Sequence, residues 1–466
     1  MAQKESFARV LTRKDVLALA FGAMIGWGWV VLAGTWVESA GSIGAMLAFL
    51  IGSIVVIFVG LTYAELTPAM PKAGGEFVFS FRAMGITPSF ICGWILALGY
   101  TSVVAFEAVA LPTVVEYLIP DYKHGYLWTV AGWDVYASWA LVGIIGSIIL
   151  TIINYVGIKP AAFLQGVLTL LIAVVGIMLM TGALFNGNPG YMEPLFVGGI
   201  KGIFVVLIMT PFMFVGFDVI PQAAEEMNIP FKSIGKILLL SIFLAALWYI
   251  MVIFSVSVAL TEQQMHASKL PTADAMAALF KGGWAAKLLI LGGIGGIITS
   301  WNSFFVGASR VIFAMARARL LPDFLGQLHP RFKTPGNAIL LVGVLSTLAP
   351  LLGRKMLVWL VDAGSLATIV AWTMVAISFL ILRYREPEME RPFKVSYGKP
   401  VGFLAVIFSV ALVFLYLPGS PAALVWPYEW LIFLGWCALG VVFYFWARSS
   451  HAQTTAIMQE LLQAEK

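Results

Sequence analysis

Apolar residues fill this chain in long runs separated by short polar stretches. Twelve runs stand out, near residues 15–38, 43–67, 89–118, 137–156, 160–184, 200–221, 234–260, 284–318, 337–352, 357–382, 401–417 and 428–447. A hydrocarbon core about 30 Å thick needs helices of about 17 to 25 residues. The pattern therefore predicts an all-α integral membrane protein with twelve transmembrane helices, and no soluble domain fits between them.

Two of the runs are interrupted. The first holds Gly22-Ala23-Met24-Ile25-Gly26-Trp27-Gly28 at its middle, and the sixth holds Pro211-Phe212-Met213-Phe214-Val215-Gly216-Phe217-Asp218-Val219-Ile220-Pro221. Proline removes a backbone donor and glycine relaxes the chain, so each helix is expected to open there and expose backbone N–H and C=O groups at mid-membrane depth. The breaks lie five runs apart. Two five-helix repeats of opposite topology would set them antiparallel around a shared midplane site, with helices 11 and 12 outside the repeat. A single break would read as a kink or a close packing contact, as Gly and Pro commonly mark in membrane helices.

This organisation divides the chain into an N-terminal segment at 1–14, a first repeat at 15–185, a second at 200–382, helices 11 and 12 at 401–447 and a tail at 448–466. Loop charge orients it. Of the 28 basic residues, 21 fall in segments that share one side if the spans alternate, including Lys4, Arg13, Lys72, Arg82, Lys232, Arg317, Arg383 and Lys466. The positive side faces the cytoplasm, which places both termini there, in the cell membrane. The start Met1-Ala2-Gln3-Lys4 is polar and lacks the pattern of a cleaved signal peptide.

Composition agrees, with 61% hydrophobic and 11% charged residues and a mean hydropathy of +0.95. The net charge of +5 fits loops facing anionic lipid and not a nucleic-acid surface. Cys92 and Cys437 lie inside spans. His124, His266, His329 and His451 are scattered, no Cys or His pair has metal-ligand spacing, and no Walker-type phosphate loop is present. No cofactor and no obligatory protein partner is expected. A channel would need filter loops, and a membrane enzyme a nucleophile with its base; the sequence offers neither.

Several blocks together resemble the amino acid, polyamine and organocation transporter superfamily. They are the glycine-rich break of run 1, Tyr63-Ala64-Glu65-Leu66 through Pro71-Lys72-Ala73-Gly74-Gly75-Glu76-Phe77, and Phe214-Val215-Gly216-Phe217-Asp218 with Ala224-Glu225-Glu226-Met227-Asn228-Ile229-Pro230. Asn302 with Ala308-Ser309-Arg310-Val311, Ala314-Met315-Ala316-Arg317 and Leu321-Pro322 follows, then Leu382-Arg383-Tyr384-Arg385-Glu386-Pro387 to Arg391-Pro392-Phe393. The resemblance implies an amino acid permease-like transporter working by alternating access, with substrate between helices 1 and 6. A substrate carboxylate would meet N–H groups at Trp27 and Gly28, beside Gly26. An ammonium would meet carbonyls of Met24, Phe212 and Val215, near Gly216 and Phe217. Phe304 aligns with an aromatic that closes over substrate in relatives.

The sequence departs from that pattern at Trp27, where relatives carry a small residue. Its indole either lines the pocket, offering a π face to a cation, or packs on a neighbouring helix. Trp36 reads as an interfacial residue. Glu107, with Tyr100 two turns before it, reads as a substrate or ion group, since a carboxylate inside a span is costly. Asp218 reads either as such a group or as an N-cap of the second half of helix 6. Glu225 and Glu226 read as a gate or loop salt bridge.

The helix 5 lysine found in many relatives aligns with Ile172, while Thr299 and Ser300 of helix 8, with carbonyls near Ala23 and Met24, form a possible Na⁺ site. The expected function is a symporter for a small amino acid or organic amine, coupled to Na⁺ or H⁺. An uncoupled exchanger or facilitator is the alternative, and a channel the alternative of a different class.

Overall fold

The computed structural model describes residues 6–463. Lys4 and Lys466, counted above, and the extreme ends of the two terminal segments lie outside that range. Helix α1 (Arg13–Met24) starts at Thr12, which exchanges hydrogen bonds with Asp15 in a capping box. It stops at the glycine-rich stretch, and the run resumes as α2 (Gly28–Val31) and α3 (Ala33–Ala40). Then follow α4 (Ser42–Ala69), a short α5 (Glu76–Met84) and α6 (Ile86–Leu118).

A hairpin of β1 (Tyr126–Val130) and β2 (Trp133–Tyr136) precedes α7 (Ala137–Val156) and α8 (Ile158–Asn186). Ala131 and Gly132 form its turn with positive φ at both positions, the geometry that suits tightly twisted strands. The sixth run is α9 (Ile200–Met213) and α10 (Val219–Gln222), separated by a non-helical break. Beyond α11 (Phe231–Ala259), two short helices, α12 (Glu262–Ala267) and α13 (Pro271–Phe280), lead into α14 (Gly283–Arg317). The chain ends in α15 (Gly336–Leu348), α16 (Gly353–Arg385), α17 (Gly398–Phe414), α18 (Tyr428–Trp446) and α19 (His451–Gln463).

Every expected apolar run is thus helical, and both expected interruptions are present. Among the described residues, eight helical stretches are long and apolar enough to cross a membrane, with α15 and α16 counted as one, while α9 and α17 are shorter apolar helices. The protein is an all-α multi-pass membrane protein. Its outer surface is apolar, with Phe163, Leu170 and Ile200 each more than 60% exposed. Such a surface needs lipid around it.

Loops that share a predicted side touch one another. Leu11 pairs with Met227, Phe7 packs edge-on against Phe313, and Thr454 donates to Ala318 O. At the other end, Ser42 donates to Met192 O and Trp128 to Leu351 O. Trp36 is not interfacial: it is fully buried against Phe49 and Tyr249, because α3 turns inward over the core.

Candidate functional site

The two breaks meet. Ile25 N still reaches Phe21 O at 3.1 Å, but Gly26 and Trp27 leave the helix and, among the described residues, no backbone partner takes their N–H groups. In the sixth run α9 carries Pro211 in its last turn and ends at Met213, and tight turns follow as Phe214 N bonds Pro211 O and Val215 N bonds Phe212 O. Gly216 then adopts φ +136, where a Cβ would lie 2.6 Å from Ala23 Cβ and 2.9 Å from Met24 N. Only glycine lets the two backbones approach this closely.

Neutral side chains from three other helices hold the end of α1. Gln165 Nε2 donates to Ala18 O (3.1 Å) and Ser303 Oγ (3.0 Å), Ser303 Oγ to Leu19 O (2.8 Å), and Thr299 Oγ1 to Gly22 O (3.1 Å). Asn302 locks Gln165 in place through its Oε1 at 2.9 Å. Tyr249 of α11 donates to Met24 O (2.7 Å) and lies 3.1 Å from Met213 O, so a single phenol spans both broken ends. At Gly22 O and Met24 O these donors supply the partners that the orphan carbonyls of a helix terminus require.

Thr299 therefore addresses Gly22, one turn before Gly26, the glycine that Ser300 faces; a Cβ on Gly26 would lie 3.6 Å from Ser300 Oγ and 3.4 Å from Glu107 Oε1. The Met24 carbonyl accepts the Tyr249 hydroxyl, and Thr299 and Ser300 address glycines one turn apart. Ile172, at the position of the relatives' lysine, is fully buried.

Glu107 is different. It is 4% exposed, it stands beside Ser300 against the helix 1 break, and its Oε2 has no hydrogen-bond partner among the described residues. A buried carboxylate with a vacant oxygen is costly unless a cation or donor completes it.

Asp218 sits at the N-terminal boundary of α10, yet its side chain caps no N–H there. Its Oδ1 accepts Gly216 N at 2.8 Å and its Oδ2 accepts the Tyr100 hydroxyl at 2.9 Å, so it braces the break itself. Tyr100 thus belongs with Asp218, and Phe304 packs against the Tyr100 ring with centroids 5.6 Å apart. Phe217 lies between Tyr63 and Trp372. The Trp27 ring rests on α14, with its Cζ3 2.2 Å from where a Cβ on Gly293 would be, and the residue is half-buried like Gly26, Gly28 and Phe212. Val215 is buried. Sequence reasoning missed Tyr249 and Met213, whose Sδ lies 3.0 Å from a Cβ position on Gly28.

Toward the chain termini the site is sealed. Val10 N and Leu11 N donate to Glu226 O, and Asn228 N donates to Leu11 O. Arg310 grips Glu226 through two bonds of 3.1 and 3.0 Å with both residues buried, and Arg317 pairs with Glu225 at 2.8 Å. Glu225 also accepts Ala73 N, tying the loop before α5 to the end of the sixth run. Behind them, Glu65 is fully buried between Arg383 and Arg391. Glu65, Glu225 and Glu226 of the quoted blocks are thus paired with arginines of the others.

Comparison with known proteins matches this architecture. A family model described as amino acid permease covers residues 11–443. The branched-chain amino acid permease BcaP of Bacillus subtilis is 27% identical over 97% of this chain and 95% of its own length. A methylthioribose transporter of the same organism is 28% identical over 97% and 96% of the two chains. The vacuolar cationic amino acid transporter 2 of Arabidopsis thaliana is 30% identical over 86% of this chain and 64% of its own. With a site built between two facing helix breaks and a family model that spans nearly the whole sequence, this chain belongs to the amino acid permease family of transporters, which are not enzymes.

Proposed function

We propose that the protein is a symporter that moves a small amino acid across the cell membrane by alternating access, with twelve spans in a five-plus-five inverted repeat and both termini in the cytoplasm. The carrying observation is the contact of Gly216 with Ala23 and Met24, which joins the two breaks into one site. The free N–H groups of Gly26 and Trp27 suit a carboxylate, as helix starts do. Glu107, whose Oε1 lies beside Gly26 and whose Oε2 is open, suits the ammonium a few ångströms away.

A zwitterion matches this pairing better than an amine without a carboxylate. We read the coupling ion as a proton, because fully buried carboxyl groups stand beside the breaks, with Na⁺ at Thr299 and Ser300 as the alternative. The sealed ion-paired face is then the cytoplasmic gate, closed in this conformation.

Purified protein reconstituted in liposomes tests this reading. Labelled leucine and labelled arginine should each be offered, with the same amino acid unlabelled inside. Saturable uptake of at least one, accelerated by internal substrate and unaffected by replacing Na⁺ with K⁺, is expected; linear, non-saturating flux would overturn it. Glu107→Gln should raise KM strongly.

A further inference from the structure

A pair of carboxyl groups lies at the helix 6 break, apart from the Gly26, Trp27 and Glu107 groups of the substrate reading. Glu76 opens α5, directly after the Gly74-Gly75 turn, and Asp218 closes the helix 6 break; both are 0% exposed. One phenol connects them: Tyr100 Oη is 2.8 Å from Asp218 O and 2.9 Å from Asp218 Oδ2, and 3.4 Å from Glu76 Oε1. A phenol carries a single proton, and the shorter distances commit it to Asp218. Asp218 also receives Gly216 N–H, so it is the better satisfied anion of the two.

Glu76 Oε2 accepts Gln222 Nε2, which leaves Oε1 facing the oxygen of a hydroxyl whose proton is already given away. Two lone pairs then face each other in a buried space, unless Glu76 Oε1 itself bears a proton and donates it to Tyr100 Oη.

The surroundings favour that arrangement. From α4, the fully buried Tyr63 hydroxyl stands against Glu76 and brings a neutral group, not a cation. Gln222 Oε1 is a buried acceptor without a partner. From α5 and α6 come Ser80 and Cys92, both uncharged; Phe304 of α14 covers Tyr100, and Trp372 of α16 packs on Phe217. Among the described residues no Lys, Arg or His is paired with Glu76 or Asp218, because the nearby arginines are taken by Glu65, Glu225 and Glu226. Two carboxylates bridged by one phenol, buried and without a cation, cannot both be ionised. Burial, with the Asp218 charge next, holds the Glu76 carboxyl well above its ordinary range.

We propose that Glu76 and Asp218, bridged by Tyr100, form the proton-binding site of this transporter, loaded with one proton on Glu76 Oε1 while the ion-paired face is shut. The inference rests on the symport reading above. The step is a proton transfer alone: the O–H bond of Glu76 breaks when this face opens, water takes the proton, and the carboxylate left behind is hydrated. Opening is linked to release by position, since Ala73, three residues before Glu76, is held by Glu225 of the gate, and Gln222 lies four residues before Glu226.

The test uses full-length protein in liposomes, with labelled leucine, or arginine if leucine does not exchange. Two assays run in parallel: exchange against internal substrate without a pH gradient, and accumulation driven by an acid exterior. Wild type is expected to show both, with several-fold stimulation by the gradient. Glu76→Gln, which imitates the protonated state, should keep exchange near the wild-type rate and lose the stimulation, and Tyr100→Phe should shift its pH midpoint.

A Glu76→Gln protein that still accumulates leucine with the gradient overturns the proposal. So does a wild type that exchanges but ignores the gradient, which removes proton coupling and leaves alternating-access amino acid transport intact. A wild type without exchange overturns the transport reading and the proton site with it. If Glu76→Gln does not fold, substrate-induced proton uptake by the wild type in weakly buffered detergent decides, since symport couples the two binding events positively, and its absence counts against the site.

Discussion

The two helix breaks look alike in sequence but are held by different chemistry. The first is surrounded by neutral donors: Gln165, Ser303, Thr299 and Tyr249 satisfy carbonyls at the end of α1, and the N–H groups of Gly26 and Trp27 stay free. The second is held by a carboxyl group, with Asp218 taking Gly216 N and the Tyr100 hydroxyl. A break that spends neutral groups on its own carbonyls keeps its donors for a ligand anion. A break braced by a buried acid has tied its conformation to a group that can change charge. The pair therefore divides the labour between recognition and switching.

The comparison is broken most completely at Gly216. Gly216→Ala would strain a φ of +136 and push a methyl to 2.6 Å from Ala23 Cβ, so transport is expected to be lost and the yield of folded protein to collapse. Gly26→Ala meets its nearest atom at 3.4 Å and should leave a folded protein with weakened substrate binding. Melting temperature in detergent, read beside uptake, separates the two. If both variants fold equally well, the unequal packing of the breaks is wrong.

A step down in size, Asp218→Ala strands the buried Gly216 N–H and removes a partner of Tyr100, at a cost of about 1–3 kcal/mol. Asp218→Asn keeps an acceptor for Gly216 and should recover most of that loss. Thermal unfolding of the two variants checks the difference. The matching change at the first break is Tyr249→Phe, which removes bonds to Met24 O and Met213 O. Hydrogen bonds within membrane proteins contribute about 0.6 kcal/mol on average, so this variant should melt only slightly earlier but show altered exchange kinetics, since it frees the link between the broken ends.

The breaks were legible in the sequence because glycine and proline act on the backbone itself, and backbone rules carry over from chain to chain. The twelve apolar runs were legible for the same reason, length against bilayer thickness. What escaped depends on packing. Glu76 reads as a loop acid after two glycines, and only the folding of α5 back into the protein buries it. Tyr249 is one aromatic in an apolar helix, with no local mark of its bond to a break 225 residues away.

The contact of the Trp27 ring with Gly293 likewise depends on a neighbour that pattern reading does not supply. The β-hairpin was available: Ala131-Gly132 between Tyr126-Leu127-Trp128-Thr129-Val130 and Trp133-Asp134-Val135-Tyr136 carries a turn signal flanked by strand-forming residues.

The smallest expected effect sharpens the comparison at the gate. Arg317 and Glu225 are 21% and 15% exposed, while Arg310 and Glu226 are buried, so the outer pair sits in a wetter setting. Burial works against the charge of Glu225, but Arg317, its hydrogen bonds and the Ala73 N–H together hold its carboxyl below the ordinary range. A carboxyl whose folded value is depressed adds stability above its unfolded value and loses it as pH falls through the folded one. The pair should therefore be intact at neutral pH and contribute at most about 1 kcal/mol there. Arg317→Gln should lower the melting temperature slightly at neutral pH, with the gap to wild type closing as pH falls through the depressed Glu225 value. Because the outer pair also ties Ala73 to the gate, the same variant should speed opening, seen as faster exchange. A change in stability with unaltered exchange would show that the outer pair is only a surface contact and that the inner pair alone latches this face.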